Sequence, residues 1–340
     1  MAAYKPLSTL SQDQKDAYAR DGYVFISGLI DENELPAFRE ACDRVVAKTR
    51  AGEWPHRRIV GKQFPPFVGD EPDSWGVQHI MHPDLHEPIF VRWYGSEALV
   101  GAATSLLGCK EEDVQMGEPS HSMFILGLFV IKIDVVHLIC HISSSKNYSI
   151  FSLIRIDTHL RCDGIEMMYP KRGTRESGHN AILSEDRVLV GSALYDDACL
   201  FVVPGSHREP RTPEQRLLSS TQEAPEDPMD MPGAICVKLK AGDTVFYQNN
   251  ILHTAAYHPD VKRATLHANM GDIRGGNRRA RMILQHQVDW VRGDAFASTL
   301  KPEGSPNEDK VATRLKGMRD RLLAMADSVN FQQLGYSQQG

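Results

Sequence analysis

From Val188 onward the sequence is cut into short runs of β-branched and aromatic residues: ALYDDACLFVV, AICVKL, DTVFYQNN and ATLHANM. Gly and Pro separate them. Runs of this length between turn residues form the strands of a sandwich or barrel, because branched side chains pack well on a pleated surface. The first part of the chain has another rhythm. Ser11 with Gln14 three residues later is a capping-box signature, and the polar helix it starts ends near Gly22. YVFISGLI then reads as a strand. Asp31 is placed to cap a second helix, whose apolar side is Leu35, Phe38, Cys42, Val45 and Val46, and Gly52 ends it. Loop signals around GVQHIMHPDLHEP lead to a further helix over about 96–107, and an amphipathic helix runs over about 309–327. Helices first and short strands after predict a mainly β fold, a jelly roll with flanking helices.

Composition enters as a set of exclusions. With 340 residues the chain can bury a large core. We read one domain: a helical part over 1–117, an atypical segment over 118–187, a jelly-roll core over 188–290, and a helix with a tail over 291–340. Lys and Arg number 38 against 44 Asp and Glu, so the net charge of −6 offers no basic stripe for nucleic acid. Six cysteines stand far apart with no C-x-x-C pair, which excludes a zinc ribbon or a disulfide framework and predicts a reducing compartment. MAAYKPLSTL has no apolar signal core, so the expectation is a cytoplasmic protein with no membrane segment.

The chemistry is concentrated in AGDTVFYQNNILHTAAYHPDVKRATLH, 241–267. Ala241-Gly242-Asp243 is a turn into a strand, Asn249 and Asn250 break the alternation, and His253 follows. A neutral imidazole there can ligate a first-row metal. Arg263 is permanently charged and can hold a carboxylate in a two-pronged bond. Thr265 shares a strand face with it, since side chains two apart point the same way. The bland alternative is that His253 caps a strand and Arg263 pairs with an acid.

VVPGSHR at 202–208, AGDTVFYQNNILH at 241–253 and RATLH at 263–267 together resemble the phytanoyl-CoA dioxygenase family, particularly fungal members. DGYVFISGLI and GVQHIMHPDLHEP extend the resemblance toward the N-terminus. It implies a double-stranded β-helix and a non-haem oxygenase using Fe(II) with 2-oxoglutarate as cosubstrate. His253 becomes the distal iron ligand, Arg263 binds the far carboxylate of 2-oxoglutarate, and Thr265 assists it. In PGSHR, Pro204 and Gly205 shape a turn and His207 is structural rather than a ligand.

The family's facial triad also needs a His-x-Asp pair upstream, two imidazoles and one carboxylate on one face of the ion. Segment 118–187 contains no such pair. The chain's two matches, His82-Pro83-Asp84 and His258-Pro259-Asp260, lie in other parts of the family pattern and are set aside. LRCDGI at 160–165 resembles the strand around the carboxylate, which makes Asp163 the acidic ligand and puts Arg161 where a histidine belongs. His159 is the nearby substitute. On an extended strand it lies about 13 Å from Asp163, so a bulge or helical turn is needed to bring them together. MFILGLFVIKIDVVHLIC and the serine-rich stretch after it show neither alternation nor a helical stripe, and Lys132, Asp134 and His137 argue against a membrane span. This segment reads either as an insertion with its own hairpin or as translated non-coding sequence.

Two functions stay open. The first is an Fe(II)- and 2-oxoglutarate-dependent dioxygenase oxidising a small organic substrate, with succinate and CO2 as co-products. The second is a catalytically inactive member of the fold, acting as a binding module or as the partner of an active paralogue; a homodimer or a heterodimer is compatible with either. A metal protein without 2-oxoglutarate is a weaker third, because a buried guanidinium without an anion is costly.

Overall fold

The structure, a computed structural model, describes residues 10–59, 75–117, 127–131, 149–151, 187–219, 225, 227–257, 263–276, 289–301 and 307–328. Helix α1 (Gln12–Asp21) carries the expected reciprocal cap between Ser11 and Gln14 and ends on Gly22, which adopts the left-handed conformation at φ 82°. Strand β1 (Tyr23–Ile26) is shorter than its sequence run, because the chain turns at Gly28, φ 62°. Asp31 does not cap the next helix. Its Oδ1 accepts from the Asn33 backbone N–H at 2.8 Å and side-chain amide at 2.7 Å, closing a local turn. Helix α2 (Leu35–Arg50) starts later, from Glu34, with Pro36 in its first turn. Proline fits there because that N–H has no helical partner. The predicted apolar side is buried throughout.

Strands β2 (Arg57–Ile59) and β3 (Trp75–Gln78) precede helices α3 (Pro88–Tyr94) and α4 (Glu97–Leu107), the latter capped by Ser96. Strands β4 (Val114–Met116), β5 (Gly127–Ile131), β6 (Ser149–Phe151), β7 (Arg187–Ala193) and β8 (Asp197–Val202) follow. After helix α5 (Pro213–Leu218) come β9 (Ile235–Leu239), β10 (Thr244–Gln248), β11 (His253–Tyr257) and β12 (Arg263–Asp272). Helices α6 (Asp289–Arg292), α7 (Asp294–Thr299) and α8 (Glu308–Asp327) complete the order. Among the described residues no helix is long and apolar enough to cross a membrane.

The strands form two antiparallel sheets, the jelly roll that the sequence predicts. The larger runs β1-β10-β7-β12-β5-β3-β2, with β4 on the far part of β12; the smaller runs β6-β11-β8-β9. Alternation assigns the faces. Val188, Val190, Phe246, Ala264, Leu266, Ala268 and Met270 belong to one cluster with the buried sides of α2, α3, α4 and α8. Leu189, Ala193, Val245 and Tyr247 point the other way and meet Val202, Val237, Leu239 and Ile251 between the sheets.

Two short pieces of the atypical segment 118–187 fall within the described residues, and both join the sheets. β5 pairs with both β12 and β3, and β6 pairs with β11. Ladder pairing uses backbone groups, so an apolar run such as GLFVI can form a strand without alternation.

Between β8 and α5 the PGSH turn docks on the first helix. Gly205 N–H donates to the Asp21 carbonyl at 2.9 Å, and His207 Nε2 donates to the Ala19 carbonyl at 3.2 Å. His207 is structural, as expected. Its ring lies where a β-carbon on Gly22 would stand. Gly22→Ala is therefore strained twice, by a left-handed φ worth about 1–2 kcal/mol and by the collision with His207. Urea unfolding should show a loss of at least that size, whereas Gly52→Ala, at φ 76° with nothing within 4 Å, should lose only the backbone part.

Candidate functional site

His253 opens β11, opposite Val202 of β8. Partner residues in a ladder share a face. Val202 belongs to the core between the sheets, so His253 faces that interior too. The loop before it is held at each step. Ile251 N–H donates to the Gln248 carbonyl at 3.2 Å, and Val203 N–H donates to the Leu252 carbonyl at 2.9 Å. Leu252 N–H donates to the buried Ser206 Oγ at 2.8 Å. The PGSH turn therefore fixes the peptide ahead of His253. Its Nδ1 contacts the Ile251 carbonyl at 2.8 Å. A carbonyl only accepts, so Nδ1 carries the proton and Nε2 carries the lone pair. Burial lowers the pKa of His253, and the bond to Ile251 offsets this only in part. The ring is thus a neutral donor held in one tautomer, the form that metal coordination requires. The Tyr247 ring meets it edge-on, with centroids 5.2 Å apart.

Across the interior, β12 presents Arg263, Thr265, His267 and Asn269 on the face opposite its apolar one. Arg263 and Thr265 come together as the spacing predicts, with Nη2 donating to Thr265 Oγ1 at 2.9 Å. Both already have an anion. Arg263 Nε donates to Asp197 Oδ2 at 2.6 Å, and Thr265 Oγ1 donates to the same oxygen at 2.9 Å. Asp197 and Arg263 are each 4 % exposed at the side chain. Burial pushes the Asp197 carboxyl upward, but the Arg263 charge and the donors from Cys199, Arg263 and Thr265 outweigh it, leaving the pKa below the ordinary value. Asp197 reaches this position at the first residue of β8, where the register with β9 shifts between Asp197 and Leu200. Such an irregularity re-aims side chains.

Asp197 and His267 are the site residues that sequence reasoning missed. His267 continues the Arg263, Thr265 series on one face, and that period of two could have found it. Nothing in LYDDACLFVV distinguishes Asp197 from Asp196, which instead pairs with exposed Lys240. His159 and Asp163, with Arg161 between them, lie outside the described residues. Among the described residues no group of three or more His, Cys, Asp or Glu side chains is arranged to hold a metal ion. Of the three ligands expected from the sequence, His253 is the one among the described residues, and its neutral Nε2 fits the donor chemistry.

The sequence model of the phytanoyl-CoA dioxygenase (PhyH) family matches residues 189–258, from β7 through β11. The chain resembles the phytanoyl-CoA dioxygenase family. The matched segment holds Asp197, the PGSH turn and His253 and stops before Arg263. No curated protein sequence matches the chain. Among solved structures, the non-heme alpha ketoglutarate dependent carbocyclase SnoK from nogalamycin biosynthesis aligns at 21% identity over 79% of this chain and 87% of that one, with a TM-score of 0.47. The epimerase SnoN in complex with Fe3+, alpha ketoglutarate and nogalamycin RO aligns at 16% identity over 77% and 83%, TM-score 0.46. EctD from S. alaskensis with 2-oxoglutarate and 5-hydroxyectoine aligns at 15% identity over 80% of each chain, TM-score 0.46.

His267 shares this interior. Burial lowers its pKa to about 3, and the charges of Arg263 and His253 push in the same direction against Asp197. An unfolded chain binds that proton near pH 6.5, so the imidazole contributes stability that is complete above about 6.5 and is lost as pH falls toward 3. The loss amounts to at most about 5 kcal/mol, less where the ring meets solvent. In the metal-free protein His267→Asn should flatten the acid limb of a stability–pH curve measured by urea unfolding. An unchanged limb would show that His267 keeps an ordinary pKa.

Proposed function

We propose that this chain is an Fe(II)- and 2-oxoglutarate-dependent oxygenase acting on a small organic substrate, a reading supported most directly by His253. Its Nδ1 proton is committed to the Ile251 carbonyl, which leaves Nε2 as a neutral donor inside the double sheet. The match of residues 189–258 to the PhyH family supports the same reading. So does Arg263, a guanidinium sharing the β12 face with Thr265.

His253 would hold the iron, with Asp163 as the carboxylate ligand and His159 as the second imidazole. Bound Fe(II) with 2-oxoglutarate supplies the oxidising chemistry, with succinate and CO2 as co-products. The chain's own residues do the rest. The Ser206–Leu252 bond holds the His253 peptide in register. Arg263 orients the cosubstrate by its far carboxylate, since a guanidinium fork fixes direction as well as charge. The apolar side chains between the sheets, Val202, Val245 and Tyr247 among them, keep bulk water from the site. The pairing of Asp197 with Arg263 favours a second reading: a member of the fold that does not turn over 2-oxoglutarate and acts as a partner or binding module.

Anaerobic Fe(II) titration followed by a succinate assay separates the two. The oxygenase reading expects iron binding that His253→Ala abolishes, and succinate release that depends on iron. Arg161→His creates a His-x-Asp pair with Asp163 and should raise iron affinity by at least about tenfold, the lower bound for a change around a metal site. Arg263→Lys keeps the charge but loses the fork, and should weaken 2-oxoglutarate binding by about 2–5 kcal/mol in calorimetry. Iron binding indifferent to His253, or no succinate from either the natural chain or the Arg161→His variant, favours the inactive member.

A further inference from the structure

The hydrogen bonds around Arg263 constrain what can bind there. Thr265 has one hydroxyl proton, and it goes to Asp197 Oδ2 at 2.9 Å. Its lone pairs face the donor from Arg263 Nη2 at 2.9 Å. Arg263 Nε gives its single proton to that same Asp197 oxygen at 2.6 Å. One carboxylate oxygen thus already occupies the point on which the Arg-x-Thr pair converges. The three side chains are buried, so bulk solvent does not screen a second anion brought beside them. Two carboxylates on one guanidinium would leave a net negative charge in a low-dielectric interior, where like charges oppose joint ionisation. Thr265 cannot donate to a ligand until Asp197 releases it.

We propose that Asp197 is a built-in competitor for the Arg263–Thr265 carboxylate site, standing where the terminal carboxylate of a dicarboxylate ligand would bind and setting a low affinity for it. The proposal rests on reading Arg263 as a carboxylate receptor. Entry of the ligand requires Asp197 to swing off or to take up a proton. Its position at the start of β8, beside the register shift, gives the first of these a local route, because only the end of the strand has to move.

The test is calorimetric titration of the natural chain and of Asp197→Asn with glutarate and with 2-oxoglutarate. Asn keeps the shape and an acceptor for Arg263 Nε, removes the charge, and adds N–H donors toward an entering carboxylate. Glutarate lacks the 2-oxo group that chelates a metal, so it reads the Arg263 site alone. Asp197→Asn should bind glutarate at least tenfold more tightly than the natural chain, and adding Arg263→Gln should abolish the gain. Equal or weaker binding overturns the proposal and makes Asp197 a residue that positions Arg263. If Asp197→Asn is unfolded when free, glutarate should restore its circular dichroism by mass action; failure to do so also counts against the proposal. Tighter glutarate binding without succinate formation by any iron-loaded form would keep this inference and sink the oxygenase reading. Succinate formation with unchanged glutarate affinity would do the reverse.

Discussion

Strand β12 has to satisfy two environments at once, and the rest of the architecture hangs on how it does so. One face carries Ala264, Leu266, Ala268 and Met270 into the helical layer. The other carries Arg263, Thr265, His267 and Asn269 inward. The backbone pairs with β7 on one side and with β5 and β4 on the other. A slip of one residue would put the guanidinium among α3, α4 and α8 and the methyl groups beside His253. Both errors are expensive, so the register is fixed by chemistry as well as by geometry. The apolar face locks the strand, and the locked strand places the polar groups.

The interior these groups share holds a buried charge pair. Arg263 cannot lose its proton, so its burial requires an anion, and Asp197 provides one. With that pair in place, additional positive charge nearby is opposed. His267 is held neutral by burial and by Arg263, and His253 is held neutral by burial. His267 lies in the field of Arg263, Asp197 and His253 together. Receiving an anion at Arg263 requires that Asp197 be answered first.

Much of the frame was legible in the sequence for reasons that are local. The Ser11 cap, the apolar stripe of α2, the Ser96 start of α4 and the alternating strands all express short-range preferences that packing reinforces. Asp31 misled because aspartate closes turns as readily as it caps helices, and Pro36 set the start of α2 instead. Strand period alone puts Arg263 and Thr265 on one face, where they meet, whereas the family resemblance and not spacing singled out His253. Asp197 was not legible. Its role depends on a strand irregularity and on a partner across the sandwich, and neither leaves a mark within LYDDACLFVV. The pairing of β5 and β6 was hidden for a related reason, because backbone ladders carry no side-chain signature.

The long-range dependence reaches further than the two sheets. His253 gets its orientation from Ile251 and Leu252, whose peptide is held by Val203 and Ser206. That turn is in turn braced on α1, through Gly205 to Asp21 and His207 to Ala19. The path from the first helix to the imidazole passes through one turn, which Arg208 also ties to the Ala19 carbonyl at 3.3 Å. Each hydrogen bond is individually worth only about 1 kcal/mol, but those to the Leu252 peptide and from Gly205 fix backbone orientation rather than a side chain alone. The N-terminal helix therefore contributes to the site without touching it. In this chain the PGSH turn is the joint that links α1 to the peptide ahead of His253.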